Sequence, residues 1–230
     1  MADKMDFSDI LASTLHDTKN SLGLLFNNLE DIISGCRGQK CPACLEFYKL
    51  QYEIKRLNHS FIRLLSLYKA EKSQLAFNID YHSIREVLED AAVQHEALLN
   101  AKGIEIEINC SSSLFWAFDR NLIAGVLDNI INNCFRYTNE KVRISSFMTN
   151  GYLVIRIEDD GPGYPSSMLF NEDSNPQFEK GIDFRTGSTG LGIYFSVMVA
   201  SLHVNNERSG FISITNGGLL NGGVFSLYLP

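Results

Sequence analysis

The sequence predicts an α+β fold in which a helical hairpin, residues 1–74, is followed by an α/β sandwich with a mixed sheet, residues 75–230. In the first part, apolar residues recur at alternating spacings of four and three, a pattern typical of helices that pack side by side. From about Gln74 onward, helix-like and strand-like segments alternate, which is typical of a layered α/β structure. The composition is 45% hydrophobic and 20% charged, so both parts can form packed cores.

Two long helices account for the hairpin, at residues 7–33 and 43–72, and a loop with two glycines and a proline joins them. The seam of the first helix comprises Leu11, Leu15, Thr18, Leu22, Leu25, Leu29 and Ile32. The seam of the second helix comprises Leu50, Ile54, Leu57, Phe61, Leu64 and Tyr68. Since a lone hairpin cannot bury two apolar stripes, we expect two copies to form a dimeric four-helix bundle. The alternative is that the hairpin packs against the rest of its own chain.

The second part is predicted to contain three helices and at least six strands. The strands lie at residues 75–81, 104–110, 141–150 and 152–160, with a closing pair within residues 210–230, and the helices lie at residues 82–103, 120–138 and 191–203. Asn150-Gly151 separates two of these strands and is a favoured dipeptide for a tight hairpin turn. Residues 164–187 form the one long irregular stretch, and loops of that length are usually functional, for example as lids.

Charge and composition exclude several classes of function. The formal net charge of −7 and the pI of about 5.2 disfavour nucleic-acid binding, which needs a basic surface. No stretch reaches the roughly 18–20 uncharged apolar residues of a membrane span. The acidic N-terminus does not resemble a secretory signal. We therefore expect a cytoplasmic protein with reduced thiols and no membrane insertion.

Three of the five cysteines, Cys36, Cys41 and Cys44, cluster in and beside the loop of the hairpin. A closed structural zinc site needs four ligands, and only three lie nearby. Free thiols at the hairpin tip and a redox or metal role therefore both remain open.

The first segment that carries chemistry is Asp159-Asp160-Gly161-Pro162-Gly163, at the end of a predicted strand. Glycines there let the backbone turn tightly and let a flat ligand approach closely. A carboxylate at the base of the turn can accept a hydrogen bond from an exocyclic amine. Taken alone, the segment could also be a plain acidic turn.

The second segment is the glycine-rich turn of residues 187–192, Gly-Ser-Thr-Gly-Leu-Gly, which opens a predicted apolar helix. Such a turn presents backbone N–H groups and a helix N-terminus to phosphates. No Lys-Ser or Lys-Thr pair follows, so this turn is not a Walker A loop.

The third segment is a predicted helix on which Asn129 and Asn133, four residues apart, share a face with Arg136 and Tyr137. Two amide oxygens, a cation and an aromatic ring then lie on one side, and an amide oxygen is a competent ligand for Mg²⁺. Taken alone, this arrangement could also be the polar face of an amphipathic helix.

The order of the three segments resembles the ATP-binding fold shared by sensor histidine kinases, Hsp90-type chaperones and type II topoisomerases. Within that group, the similarity is to the histidine kinases. Residues 127–138 (LDNIINNCFRYT) resemble their N box, residues 159–164 (DDGPGY) their first glycine box, and residues 188–196 (STGLGIYFS) their second. The ending GGVFSLYLP resembles their closing strand.

The resemblance implies an ATP site with Mg²⁺ and assigns roles by position. Asn133 is expected to be the Mg²⁺ ligand, with Asn129 beside the metal and the phosphates. Arg136 is expected to contact phosphate, Tyr137 to pack near the adenine, and Asp160 to accept from the adenine amine.

The resemblance also assigns the residues that shape the backbone around the nucleotide and its lid. They are Gly161, Gly163, Gly190 and Gly192, and Thr189 and Leu191 of the second box are expected to bind the nucleotide as well. Lys180 and Arg185 are expected to be cations of the lid. Ser188 stands where the second box usually opens with glycine, which puts lid closure and ATP affinity in doubt.

The first predicted helix carries His16-Asp17-Thr18-Lys19-Asn20, which resembles a variant of the histidine-containing box of the same kinases. His16 follows the seam residue Leu15 and should face outward. A neutral imidazole is a good nucleophile near neutral pH, and Asp17 can orient it by accepting from Nδ1–H. In this family, an amide at the position of Asn20 is linked to dephosphorylation of the partner.

The resemblance implies a homodimeric kinase that phosphorylates His16 from Mg-ATP and transfers the phosphoryl group to an Asp of a response regulator receiver domain. With few residues before the first helix, its stimulus is expected to come from a separate sensor or input protein. The alternative is a non-catalytic phosphotransfer or interaction protein with a degenerate ATP-binding domain, which Ser188 favours. A chaperone-like ATPase is disfavoured, because Asn129 stands where those enzymes place a catalytic Glu.

Overall fold

A computed structural model describes residues 18, 20–28, 44–72, 74–170 and 191–230. The chain divides into two compact units, Met1–Ala76 and Phe77–Pro230. This division falls two residues after the boundary that the sequence predicts.

The described part of the first unit is helical. Helix α1 (Cys44–Glu71) corresponds to the predicted second helix at 43–72, and residues 20–28 are helical within the predicted first helix. Along α1 the seam residue Ile54 is buried, whereas Leu50 and Leu57 are 50% and 44% exposed. A single chain therefore leaves part of this apolar stripe uncovered. The remainder of the first predicted helix and the cysteine-containing loop lie outside the described residues. No helix in the described part of the chain is long and apolar enough to cross a membrane.

The second unit contains three α-helices, one short 3₁₀-helix (Ser166–Met168) and nine strands within its described residues. Its helices are α2 (Ile84–Ala101), α3 (Arg120–Tyr137) and α4 (Leu191–Leu202). Its strands are β1 (Asp80–Ser83), β2 (Glu105–Asn109), β3 (Phe115–Phe118), β4 (Lys141–Thr149), β5 (Tyr152–Asp159), β6 (Val204–Asn205), β7 (Arg208–Ser209), β8 (Phe211–Gly217) and β9 (Gly222–Leu229).

Five strands form the main sheet, in the order β2-β4-β5-β9-β8. Strands β2 and β4 are parallel, and the other neighbours are antiparallel, so the predicted mixed sheet is confirmed. The β4–β5 hairpin turns at Asn150 and Gly151, which adopt positive φ angles of 50° and 81°. This conformation is the one that the Asn-Gly dipeptide favours.

The core lies between this sheet and the helices. Both layers contribute side chains that are almost completely buried, among them Ile84, Leu88, Ile123, Leu127, Ile130, Ile144, Leu153 and Phe225. The described residues of the second unit therefore form the predicted α/β sandwich.

The short strands were predicted less accurately from the sequence than the long ones. Only the end of the predicted strand at 75–81 is paired, because β1 starts at Asp80 and pairs with β3. The preceding residues are held by another contact: the Asn78 N–H donates to Asp119 Oδ2 at 2.8 Å. Strands β3, β6 and β7 were not predicted, since segments of two to four residues carry too little periodicity.

Asp119 fixes the start of α3, the helix that carries the asparagines. Its Oδ1 accepts from Leu122 N at 3.0 Å, the usual contact of an N-cap. Its own N–H donates to Nε2 of His203, at the end of α4, and the other ring nitrogen of His203 lies 2.7 Å from Val199 O. Asp119 therefore ties α3 to α4 and to the chain entering the unit.

Candidate functional site

The candidate site lies where the end of β5, helix α3 and the first turn of α4 come together. Two glycines allow this close approach. A side chain on Gly161 would begin 2.9 Å from the carbonyl carbon of Tyr137, and one on Gly192 would begin 2.6 Å from Nδ2 of Asn129. The structure therefore brings the N-box segment, the first glycine box and the end of the second glycine box into one place.

Asp159 is the carboxylate at the base of the site. It continues the inward-facing alternation of Leu153, Ile155 and Ile157 along β5, and it is only 8% exposed. Its Oδ1 accepts from the backbone N–H of Gly161 at 2.8 Å and of Gly223 at 3.2 Å. None of the described residues donates to Oδ2, so this oxygen remains available to a ligand.

The start of β9 packs directly against Asp159. A side chain on Gly222 would begin 2.7 Å from Asp159 Oδ1 and from Gly161 N, and one on Gly223 would begin 2.7 Å from Asp159 Oδ2. Contacts under 3.0 Å are not compatible with a Cβ atom, so only glycine fits at either position. Gly222 and Gly223 were not among the predicted site residues, although the Gly-Gly pair at the head of the closing strand was a visible signal.

Asp160, the predicted acceptor for adenine, has a different environment. Its Oδ1 accepts from Asn139 N at 2.9 Å and its Oδ2 from Glu140 N at 3.0 Å, so it holds the connection between α3 and β4. Burial alone would raise the pKa of Asp160, but backbone N–H donors, that of Glu140 foremost, outweigh it and lower the pKa. This geometry favours Asp159 over Asp160 as the carboxylate that faces a ligand.

Gly163 and Asn216 shape the next part of the loop. Asn216, at the end of β8, accepts from Tyr164 N at 2.7 Å and donates to Tyr164 O at 2.8 Å. Gly163 has a φ of +79°, and a side chain there would begin 2.6 Å from Asn216 Oδ1. Glycine is therefore needed at this position both for the backbone conformation and for the approach of Asn216. Asn216 was not predicted as a site residue, and no local motif marks it.

The groups around Asp159 are uncharged. Burial raises the pKa of the Cys134 thiol, and the neighbouring Asp159 raises it further. Burial likewise raises the pKa of the Tyr164 hydroxyl, and the negative charge of the nearby Asp159 raises it further. Thr138, which ends α3, is also buried. Asp159 is therefore set among neutral polar groups.

Asn129 is buried in the middle of α3 and lies against Gly192 in the first turn of α4. Its Nδ2 has no hydrogen-bond partner among the described residues. A buried amide without a partner is rare in folded proteins, and its position beside a helix N-terminus indicates a place for a polar or anionic ligand.

The other predicted residues of α3 lie toward its C-terminal end and are more accessible. Asn133 is half-buried, and Arg136 and Tyr137 are exposed, with Tyr137 at 50%. All three remain available to a ligand at the mouth of the site. Leu191 and Gly192, the last predicted residues of the second glycine box, form the first turn of α4.

Several predicted residues lie outside the described residues. They are His16, Asp17, Lys180, Arg185, Ser188, Thr189 and Gly190, together with Cys36 and Cys41. Asn20 is described and is exposed on the helical segment 20–28. Cys44 is the first residue of α1.

A groove of about 280 Å³ lies elsewhere, between α2 and the edge strand β2. Ile106 and Ile108 line it, and so do Glu89, Glu96 and Glu105. Three carboxylates repel an anion, so this groove is a poor site for a nucleotide.

Comparison with known proteins shows similarity to a family of ATPases and to sensor histidine kinases. Residues 118–230 match the family of histidine kinase-, DNA gyrase B- and HSP90-like ATPases. The chain is 24% identical over 200 residues to the sensor protein SrrB of Staphylococcus aureus, covering 85% of this chain and 34% of that protein. It is also 24% identical over 210 residues to the virulence sensor histidine kinase PhoQ of Salmonella typhimurium, covering 91% of this chain and 41% of that protein. The chain therefore spans less than half the length of these curated relatives.

Solved structures show the same fold. The Acinetobacter baumannii histidine kinase AdeS is similar with a TM-score of 0.59 and 20% identity, covering 91% of this chain and 95% of that one. The catalytic domain of the histidine kinase ThkA is similar with a TM-score of 0.54 and 23% identity, covering 66% of this chain and 97% of that one.

Proposed function

We propose that the chain is a kinase that phosphorylates His16 from Mg-ATP, a proposal supported by its similarity to two-component sensor histidine kinases. The observation that supports this most directly is the setting of Asp159. One of its carboxylate oxygens is held by two backbone N–H groups, and no described residue donates to the other. A buried acceptor of this kind fits the exocyclic amine of adenine.

Recognition of the base is assigned to Asp159 rather than to its neighbour Asp160. The carboxylate of Asp160 already accepts from the N–H groups of Asn139 and Glu140. Gly161 lets the end of α3 pack against the loop, and Gly223 lets Asp159 and the ring of Tyr164 lie close together beside β9. Tyr137 is exposed at the end of α3, from where its ring can pack against the base.

Binding of the phosphates is assigned to α3 and to the start of α4. The residues fit a magnesium ion, because Asn129 and Asn133 offer amide oxygens on one helix face. The buried Nδ2 of Asn129 has no partner among the described residues and would donate to a phosphate oxygen. When bound, the ion would supply positive charge that stabilises the phosphates. Arg136 and the N-terminus of α4 would hold the same phosphates through charge and backbone N–H groups. Thr189 and Gly190, with the lid cations Lys180 and Arg185, stay predictions for this site.

The phosphoacceptor is assigned to His16 from the sequence. The Nε2 lone pair of His16 would form the bond to the γ-phosphorus, while the bond to the bridging oxygen breaks and ADP leaves. Asp17 would hold the proton on Nδ1. The same phosphoryl group would then pass to an Asp of a response regulator in the cytoplasm, and Asn20 would support its later removal. A homodimer is expected, because one chain leaves part of the α1 stripe exposed.

The proposal is tested by incubating the purified chain with Mg²⁺ and γ-labelled ATP. We expect a label that is stable to base and labile to acid, as phosphohistidine is. His16→Ala should abolish the label, and His59→Ala, which removes another histidine of the helical unit, should keep it. Label on neither the wild type nor His59→Ala, with ATP binding intact, would support the non-catalytic alternative. Failure to bind ATP at all would contradict the assignment of the nucleotide site.

A further inference from the structure

Tyr164, next to the site, has its backbone held on both sides by one side chain. Both its backbone N–H and its carbonyl oxygen are hydrogen-bonded to the side chain of Asn216, at 2.7 Å and 2.8 Å. The preceding Gly163 adopts the left-handed conformation that permits this pairing. Asn216 belongs to β8, so the backbone of Tyr164, from which the ring projects, is held by the sheet as well as by its own loop.

The ring of Tyr164 lies beside the available oxygen of Asp159. The point where a side chain on Gly223 would begin is 2.7 Å from Asp159 Oδ2, 2.9 Å from Tyr164 Cε2 and 3.1 Å from Tyr164 Cδ2. The carboxylate oxygen and the edge of the phenol ring thus flank the same glycine of β9. A base whose amine meets Asp159 Oδ2 would have Tyr164 as its next neighbour.

The two groups are chemically complementary to one edge of adenine. Asp159 Oδ2 can only accept, whereas a phenol hydroxyl can donate. Because burial raises its pKa, the hydroxyl of Tyr164 keeps its proton at neutral pH. Adenine presents a donor, the N6 amine, directly beside an acceptor, N1. Guanine presents the reverse order, an acceptor at O6 beside a donor at N1, and would leave both protein groups unpaired.

We propose that Tyr164 is a specificity-determining residue of the nucleotide site, whose hydroxyl donates to N1 of adenine while Asp159 accepts from the N6 amine. This inference rests on the proposed function, because it assumes that the base of ATP meets Asp159. It makes the Asp159–Tyr164 pair the part of the site that selects adenine over guanine.

The test combines a change in the protein with a change in the ligand. Dissociation constants are measured by calorimetry for ATP and for 1-deaza-ATP, in which a C–H group replaces N1 and the amine is kept. We expect the wild type to bind 1-deaza-ATP about fivefold more weakly than ATP, the loss of one neutral hydrogen bond. Tyr164→Phe should bind ATP about fivefold more weakly and show no further loss with 1-deaza-ATP. Its preference for ATP over GTP should fall as well.

Tyr228→Phe is the matched control, because it removes a phenol hydroxyl from the same strand that carries Gly223, where the Tyr228 ring stacks on Phe211. It should behave as the wild type with both nucleotides. Equal losses with 1-deaza-ATP in the wild type and in Tyr164→Phe would overturn the proposal. So would equal affinities of the wild type for the two nucleotides, a comparison that needs no folded variant. A wild type that does not bind ATP would overturn the proposed function itself.

Discussion

Replacing Asp159 and Asp160 one at a time with Asn should have different effects on ATP binding, because only Asp159 is proposed to contact the base. In Asp159→Asn the oxygen that faces the amine becomes, in one orientation, an NH₂ group, so a donor meets a donor. The alternative orientation turns the NH₂ group toward the N–H groups of Gly161 and Gly223. Either way a hydrogen bond to a charged acceptor is lost, and such bonds contribute about 1.5–3 kcal/mol. We expect ATP to bind roughly 10- to 150-fold more weakly.

Asp160→Asn should change ATP affinity by less than about twofold, because its partners are the backbone N–H groups of Asn139 and Glu140. It should instead lower the free energy of unfolding at neutral pH, by about 1 kcal/mol. Affinity is measured by calorimetry and stability by urea unfolding, with circular dichroism to show that both variants are folded. An equal loss of ATP affinity in the two variants, or a larger loss in Asp160→Asn, would refute the assignment of Asp159.

Three further perturbations follow from particular contacts. Gly163→Ala should lower the free energy of unfolding by about 1–3 kcal/mol, because a Cβ would strain the positive φ and meet Asn216; an unchanged melting temperature would contradict this. Gly192→Ala should weaken ATP binding, because its Cβ would displace the Asn129 side chain, and Gly125→Ala, on α3 facing the Phe195 ring, is the glycine control that should bind ATP normally. Burial lowers the pKa of His203, so the folded protein disfavours the charged ring. Its contribution to stability should be complete above the unfolded-state pKa of about 6.5 and should decrease as the pH falls below that value. The free energy of unfolding, measured in urea across this pH range, should depend less on pH in His203→Gln than in the wild type. An equal pH dependence in the two proteins would show that His203 is not its source.

Much of the sandwich could be predicted from the sequence because its main elements are long and locally periodic. Helix α3 is found at Arg120–Tyr137 against a predicted 120–138, and the β4–β5 hairpin turns at the predicted Asn150-Gly151. Strands β1 and β3 could not be predicted in this way. They are four residues each, and they pair with one another across more than thirty residues of chain, a tertiary contact that leaves no local pattern.

The composition of the site could be predicted from motifs, but the role of each carboxylate could not, because a motif does not state which way a side chain faces. The sheet supplies that information. Asp159 continues the inward series of Ile155 and Ile157, whereas Asp160 lies beyond the end of β5 and reaches the start of β4. The period-two alternation was present in the sequence and would have selected Asp159 had it been continued two residues beyond Ile157. No such rule would have found Asn216. Its contact with Tyr164 joins residues 52 positions apart, and only the register of β8 brings them together. Local periodicity therefore decides which residue enters the site, whereas strand pairing decides which residues hold it there.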